Sequence, residues 1–98
     1  MSKVDHSNDN FLKVEIITPE VSLSFDDIHM AIMPGSEGEF GVMFGHVPMI
    51  VSLDSGVIHL QQGKHLKIIK ISISSGFVEI TNKYAVILVE KAEELPHS

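Results

Sequence analysis

The sequence contains no cysteine and no tryptophan, and it has no long apolar run. Without cysteine, disulfide frameworks and thiolate metal sites are excluded, which is typical of proteins in a reducing compartment. No stretch approaches the roughly 20 apolar residues that a membrane-spanning helix needs. Residues 1–10 have neither the apolar centre of a secretion signal nor the arginine-rich character of an organelle transit peptide. We therefore expect a soluble protein that faces the cytosol.

Basic residues are few. Seven Lys and Arg residues stand against 13 Asp and Glu residues, so the formal net charge is -6. Proteins that bind nucleic acids neutralise phosphates with basic side chains, and this balance disfavours that class. A chain of 98 residues is long enough for one domain with its own hydrophobic core.

Alanine is also scarce, with three residues, whereas isoleucine and valine together number 22. β-branched side chains are restricted in their rotamers and pack well on pleated surfaces, so they favour strands. Residues 11–17 alternate apolar and charged side chains with the period of a half-buried strand. We predict an all-β chain.

Turn residues divide the chain into about nine or ten short strands. The two aspartates at 26–27 indicate a turn, and the glycine-rich segment 33–45 is expected to break regular pairing. Residues 57–60 and 66–73 are expected to form a hairpin. The apolar segment 84–89 is expected to be buried on both faces. The regular spacing of turns predicts a β-sandwich or a β-barrel.

We expect one folded domain between two tails. Residues 1–10 are predicted to be a disordered tail, residues 11–95 the β-sandwich domain, and residues 96–98 a frayed C-terminal tail. Segment 91–95 could start a helix, which Pro96 would stop.

The densest pattern lies in segment 34–48, which has glycine at positions 35, 38, 41 and 45. A loop with unusual backbone geometry is the plain interpretation. A phosphate-binding loop would need a following helix and a basic side chain within reach, whereas this segment carries only acids. Glu37 and Glu39 are poor candidates for acid–base catalysis, because nothing in the sequence indicates that either is buried. We expect no catalytic residue.

Six histidines suggest a metal site as an alternative. Four of them could converge in the fold, namely His29, His46, His59 and His65. None of these are spaced as adjacent ligands on one strand face, and His6 and His97 fall in the expected tails. We expect neither a metal nor a cofactor. A small histidine-containing metal- or ligand-binding β-sandwich stays open as an alternative, and so does an interaction module with another partner.

The ordered motifs of the chain resemble one family. GSEGEFG at 35–41 followed by GHVP at 45–48 is similar to the signature of the epsilon subunit of rotary ATP synthases, which is called delta in mitochondria. LKVEIITP at 12–19, SGFVEI at 75–80 and VILV at 86–89 follow in the family's order and at similar spacing. The resemblance covers residues 11–95.

This resemblance implies a flattened two-layer β-sandwich of about ten short strands. It also implies a non-catalytic central-stalk subunit, part of the rotor of a proton-translocating ATP synthase. Such a subunit binds the gamma subunit and the c-ring, couples proton-driven rotation to ATP synthesis, and is a monomer when isolated, without inserting into the membrane. By resemblance, c-ring contacts are expected at Ser36, Glu37, Gly38 and Glu39, and gamma contacts at Thr18, Phe44, His46 and Val47.

Two features depart from the family pattern. Phe44 stands where many members have proline. The sequence ends at Ser98, soon after the last predicted strand, whereas members commonly continue into a helical hairpin that can inhibit ATP hydrolysis or bind ATP. Neither property is expected of the residues present, and the Pro96-His97-Ser98 end favours a naturally short subunit. The lack of a transit peptide favours the bacterial form, peripheral on the cytoplasmic face of the inner (plasma) membrane.

Overall fold

The computed structural model describes residues 10–96 and shows strands throughout this part of the chain. The all-β prediction is confirmed. The expected tails lie outside the described residues apart from Asn10 and Pro96, so the domain boundaries stay a prediction. Within the described part, no helix is long and apolar enough to cross a membrane. The strands are β1 (Leu12–Ile17), β2 (Ser22–Gly35), β3 (Gly38–Val42), β4 (Met49–Leu53), β5 (Gly56–Gln62), β6 (Lys67–Ile73), β7 (Gly76–Ile80), β8 (Tyr84–Val89) and β9 (Ala92–Glu94).

The strands form the two layers of a β-sandwich, and β2 belongs to both. One layer has the order β4-β7-β8-β1-β2, and the other has the order β3-β2-β5-β6-β9. The first part of β2 pairs with β1, and its last part pairs with β3 on one side and β5 on the other. Among the described strands, all pairs are antiparallel except β1 with β8. The confirmed sandwich is thus joined through one continuous strand, whose last residue, Gly35, also pairs with Leu53 of β4.

The turn predicted at residues 26–27 is wrong, because β2 runs through this position. Pairing shifts register here on both sides, between Leu12 and Val14 along β1 and between Ile28 and Met30 against β5. Asp27 has a φ of 59°, a left-handed conformation that aspartate tolerates better than most residues. The local turn signal therefore marks a β-bulge, which bends a strand without ending it.

Alternation along the strands places one apolar face of each layer in the interior. In β1, Leu12, Val14 and Ile16 are fully buried, as the period of two requires. Every buried side chain of the described residues is apolar. Strand β8 was expected to be buried on both faces, and this is wrong, since Val86 and Leu88 are only half-buried. Its second face forms part of the outer surface of the first layer.

Three local predictions have different outcomes. The hairpin of β5 and β6 is confirmed, with pairing from Gly56–Ile73 to Gln62–Lys67. Segment 33–45 does contain a turn, but it also contains the whole of β3. The helix considered for segment 91–95 is wrong, because Ala92–Glu94 pairs as β9 with β6. The exposed edge of β6 provides hydrogen-bonding partners that a short terminal helix would lack.

Candidate partner-binding surface

The motif region forms a tight β-hairpin from β2 and β3. Gly35 pairs with Gly38, so Ser36 and Glu37 are the two residues of the turn. All four residues from Ser36 to Glu39 are exposed. The predicted c-ring contacts are therefore brought together at one protruding tip.

The tip is held by the corner between β4 and β5. The Ser36 N–H donates to the Ser52 carbonyl at 3.0 Å, and the Asp54 N–H donates to the Pro34 carbonyl at 2.8 Å. The Ser36 hydroxyl also donates to Oδ1 of Asp54 at 3.3 Å. One hydrogen bond to β4 and two to Asp54 in the following corner restrict a turn that would otherwise move freely.

The hairpin also needs a glycine at position 35 for packing. A Cβ built there would lie 2.6 Å from the Gly38 carbonyl oxygen and 2.9 Å from the ring of Phe40. The Phe40 ring thus covers the Gly35 backbone and packs against the buried core. Phe40, which had no assigned role in the sequence analysis, anchors the tip from inside.

The second predicted contact region is the turn between β3 and β4. The Gly45 N–H donates to the Asn82 carbonyl at 2.7 Å, and the His46 N–H donates to the Met43 carbonyl at 3.1 Å. Nδ1 of His46 lies 2.8 Å from the Val47 carbonyl oxygen, which can only accept, so Nδ1 carries the hydrogen. This turn lies one strand length from the tip, roughly 13 Å for four residue steps of β3.

Exposed apolar side chains are concentrated beside this turn. Val47 and Ile50 are 66% and 68% exposed, the highest values among the large apolar residues that the structure shows as exposed, and Met43 and Met49 are also exposed. Ile50 and Met49 were not predicted as site residues. No sequence signal separates them from core residues, because the run 49–51 has no polar residue to mark a solvent-facing position.

A groove of about 690 Å³ joins the tip to the turn. It runs between β3, which pairs with β2 along one side, and β4, which pairs with β7 and, at Gly35 with Leu53, with β2. Its lining includes two carboxylates and one imidazole but neither Lys nor Arg: Gly35, Ser36, Glu37, Gly38, Glu39, Phe40, Gly41, His46, Met49, Ile50, Val51 and Ser52. We call this region, with the adjoining Met43 and Val47, the β3–β4 surface.

Thr18 is not part of the β3–β4 surface. It directly follows β1, and β8 and β7 lie between β1 and β4, a separation of roughly 14 Å for three strand spacings. Its hydroxyl oxygen accepts hydrogen bonds from the N–H groups of Val21 at 2.9 Å and Glu20 at 3.2 Å. These bonds form the turn between β1 and β2, so the structure gives Thr18 a local structural role.

The four histidines in the described part of the chain do not form a site. Within residues 10–96, no three His, Cys, Asp or Glu side chains are placed so that they could hold a metal ion. His29 lies edge-on to Phe11, with ring centroids 6.5 Å apart, and His59 pairs across the sheet with Lys70. His65 lies in the turn between β5 and β6, and His6 and His97 are outside the described residues.

The fold and this geometry define a class of protein, a small β-sandwich whose distinctive feature is an outer surface and not an interior site. A family model described as ATP synthase, Delta/Epsilon chain, beta-sandwich domain matches residues 11–95. The chain belongs to this ATP synthase delta/epsilon family, and the family inferred from the motifs is confirmed.

Two curated relatives are longer than the region that they share with this chain. The ATP synthase epsilon chain of Magnetococcus marinus is 40% identical over 79 residues, which are 81% of this chain and 56% of that protein. The ATP synthase epsilon chain of Pelotomaculum thermopropionicum is 35% identical over an alignment of 92 residues that covers 90% of this chain and 66% of that protein. The chain thus spans between 56% and 66% of the length of these curated relatives.

Two solved structures share the fold. A chain in the Euglena gracilis mitochondrial ATP synthase, in a structure of OSCP, F1 and the c-ring, aligns with a TM-score of 0.78 at 19% identity, covering 95% of this chain and 59% of that chain. A chain in the central stalk and c-ring of the Tetrahymena thermophila enzyme aligns with a TM-score of 0.68 at 14% identity, covering 89% and 69%. At these identities the likeness establishes the fold.

Proposed function

We propose that the chain is a non-catalytic central-stalk subunit of a proton-translocating rotary ATP synthase. In this role it binds the gamma subunit and the c-ring and couples proton-driven rotation to ATP synthesis. Its place is on the cytoplasmic face of the bacterial inner membrane, where it is peripheral and part of the complex. The family match over residues 11–95 carries the proposal.

The two predicted contact regions support a subunit that joins two partners. The exposed acidic tip at 36–39 and the apolar turn at 43–50 lie at opposite ends of the β3–β4 surface. A charged, exposed tip suits a contact that fixes orientation more than it adds affinity. An exposed apolar cluster is typical of an interface that is stably covered. We therefore propose that the tip contacts the c-ring and that the apolar turn contacts gamma.

The binding of a small ligand or metal is the weaker candidate. The groove has the volume of many ligand sites, but such sites also bring a few polar groups together in their depth. Here Glu37 and Glu39 are exposed, and the buried side chains of residues 10–96 are all apolar. The lining therefore favours a protein partner over a small polar ligand.

Binding to the gamma subunit from the same source tests the proposal. We expect one-to-one binding by co-purification and calorimetry, with a submicromolar Kd. Ile50→Ser removes an apolar side chain that is 68% exposed, and this corresponds to about 1.5 kcal/mol of burial, or roughly tenfold in Kd. Ile68→Ser is the matched control, since Ile68 is also exposed but lies on β6. His46→Ala is expected to weaken binding as well.

The absence of any complex, with both proteins folded, would refute the gamma contact and with it the stalk role. Equal weakening by Ile50→Ser and Ile68→Ser would place the interface elsewhere on the sandwich. For the c-ring contact, Glu37→Lys in a reconstituted complex is expected to reduce ATP-driven proton pumping while leaving ATP hydrolysis unchanged. Unchanged pumping would argue against a c-ring contact at the tip.

A further inference from the structure

The outer edge of β3 offers backbone hydrogen-bonding groups to a partner. Because Gly35 and Gly38 flank a two-residue turn, they form a hydrogen-bonded pair, and the next pair, Pro34 with Glu39, is not hydrogen-bonded. The Pro34 carbonyl confirms this alternation, since it accepts from the Asp54 N–H on the opposite side of β2. The N–H and C=O groups of Glu39, and of Gly41 two residues later, therefore point away from β2.

No other strand of the described part of the chain pairs with this edge. β3 pairs only with β2 among residues 10–96, so its outward backbone groups face solvent. Exposed edges are usually protected by charge, proline or bulges. β3 has one charge on its outward-facing residues, Glu39, and its pairing with β2 is regular. A segment of another protein can therefore add to it as a further strand.

The two faces of β3 specify which side chains such a segment would carry. Phe40 and Val42 face the interior, and Phe40 lines the groove with Met49 and Val51. Glu39 and Gly41 face outward, as the period of two requires. Cross-strand neighbours lie about 4.5–5.5 Å apart between Cβ atoms, so one face of an added strand meets apolar side chains and the other meets Glu39.

Charge complementarity identifies the occupant further. The lining of the β3–β4 surface has Glu37 and Glu39 but neither Lys nor Arg, and Asp54 adds another carboxylate beside the tip. A second copy of this chain, with a net charge of -6, would place like charges against each other. A cationic segment from a different chain is favoured by the negative charge of these carboxylates.

We infer that β3 binds an extended segment of the gamma subunit by strand addition, and that this segment alternates basic and apolar side chains. The inference rests on the proposed function, since it names how the gamma partner is held. The apolar side chains enter the groove beside Phe40 and Met49, and the basic ones lie opposite Glu39. This assigns Glu39, which lies in β3, to gamma, and leaves Ser36, Glu37 and Gly38 of the tip to contact the c-ring. β3 has five residues, so the added strand is short.

Hydrogen exchange of the wild-type chain tests this directly. In the isolated chain, the amides of Glu39 and Gly41 are expected to exchange rapidly, because they face solvent. In the complex with gamma, both are expected to become protected by at least about tenfold, the factor given by one net hydrogen bond. Protection of these two amides in the isolated chain that grows with its concentration would instead show a second copy on the edge, and this would overturn the inference.

Two variants of Glu39 separate the contribution of its backbone N–H to gamma binding from the contribution of its carboxylate charge. Glu39→Pro removes an outward N–H, which an edge strand tolerates, and is expected to weaken gamma binding about tenfold. Glu39→Gln keeps the N–H and removes the charge, so it is expected to weaken binding only about two- to fivefold and to reduce its salt dependence. Hydrogen exchange of the wild-type complex tests strand addition even if the Glu39→Pro variant fails to fold.

The two proposals fail in different ways. Gamma that binds the wild-type chain tightly while the amides of Glu39 and Gly41 exchange at the free rate overturns strand addition and leaves the stalk role standing. If gamma binds the Glu39→Pro variant as tightly as it binds the wild-type chain, strand addition is also overturned and the stalk role also stands. If gamma does not bind the folded chain at all, both the stalk role and strand addition are refuted.

Discussion

Gly76→Ala is expected to be strongly destabilising, because backbone atoms fill the space that a side chain would need. Gly76 begins β7 and is paired with Leu53 on one side and Val89 on the other. A Cβ built on Gly76 would overlap the carbonyl oxygen of Leu88 and lie 2.8 Å from Cγ1 of Val89. The obstructing oxygen belongs to the paired strand β8, so relief requires the two strands to separate.

The size of the effect follows from this geometry. Overpacking a well-packed position costs about 1–3 kcal/mol and occasionally more, and a clash with backbone belongs at the upper end. Alanine also lowers the entropy of the unfolded chain, which returns about 0.4–1 kcal/mol. We expect a net loss of about 2–2.6 kcal/mol in the free energy of unfolding. With a urea m-value of about 1.5 kcal/mol per M, the midpoint falls by about 1.5 M.

Gly41→Ala is the matched control for urea unfolding followed by circular dichroism. Its nearest obstacle is Sδ of Met30 at 3.3 Å, the flexible part of a half-buried side chain that can move by a few tenths of an ångström. A loss below about 1 kcal/mol is expected there. If the two variants lose the same stability, the close approach of β8 to Gly76 is not what requires glycine, and the reasoning fails.

Three further changes test other parts of the sandwich. Leu66→Gly relieves a φ of 53° in the turn between β5 and β6. Because the Leu66 side chain is exposed, the variant should gain about 0.5–1 kcal/mol in the free energy of unfolding, and its Tm should rise by about 4 °C. A lower Tm in a thermal melt would contradict this. Thr18→Val removes the acceptor for the N–H groups of Glu20 and Val21 and should cost about 1 kcal/mol in urea unfolding, with unchanged gamma affinity if Thr18 is only structural. Ile87→Ala deletes a fully buried side chain of β8 and should cost about 2–5 kcal/mol by the same measurement; a loss under 1 kcal/mol would show that the core can collapse around the cavity.

Local pattern predicted the strands that have one buried face. The alternation of residues 12–16 matches β1, where every second side chain is fully buried. The same rule failed at residues 26–27, because a turn signal and a β-bulge use the same residue types. Only the pairing of β2 with β1 on one side and β5 on the other shows that the strand continues. Such pairing joins residues far apart in sequence, and a local window does not contain it.

The residues of the candidate surface could be predicted only in part, because their exposure also depends on contacts between residues far apart in sequence. The exposed tip at 36–39 follows from glycines and acids that favour a turn. Ile50 could not be found this way, because an apolar residue in a strand is ordinarily assigned to the core. Its exposure results from the position of β4, which pairs with β7 along its whole length but with β2 only between Leu53 and Gly35, and this position depends on the whole order of strands. Thr18 was also predicted as a gamma contact; two strands separate it from β4, and its contact with gamma stays a prediction.

The parallel pairing of β1 with β8 has a consequence for the order of folding. β1 can pair with β2 as soon as both have been synthesised, since only a short turn separates them. The other edge of β1 must wait for β8, about 70 residues later, which at about 5–20 residues per second takes roughly 4–14 s on the ribosome. During that interval the edge from Lys13 to Ile17, which later binds β8, is open to other chains. Closure of the first layer is therefore a late event, and β8 is the segment whose arrival completes it.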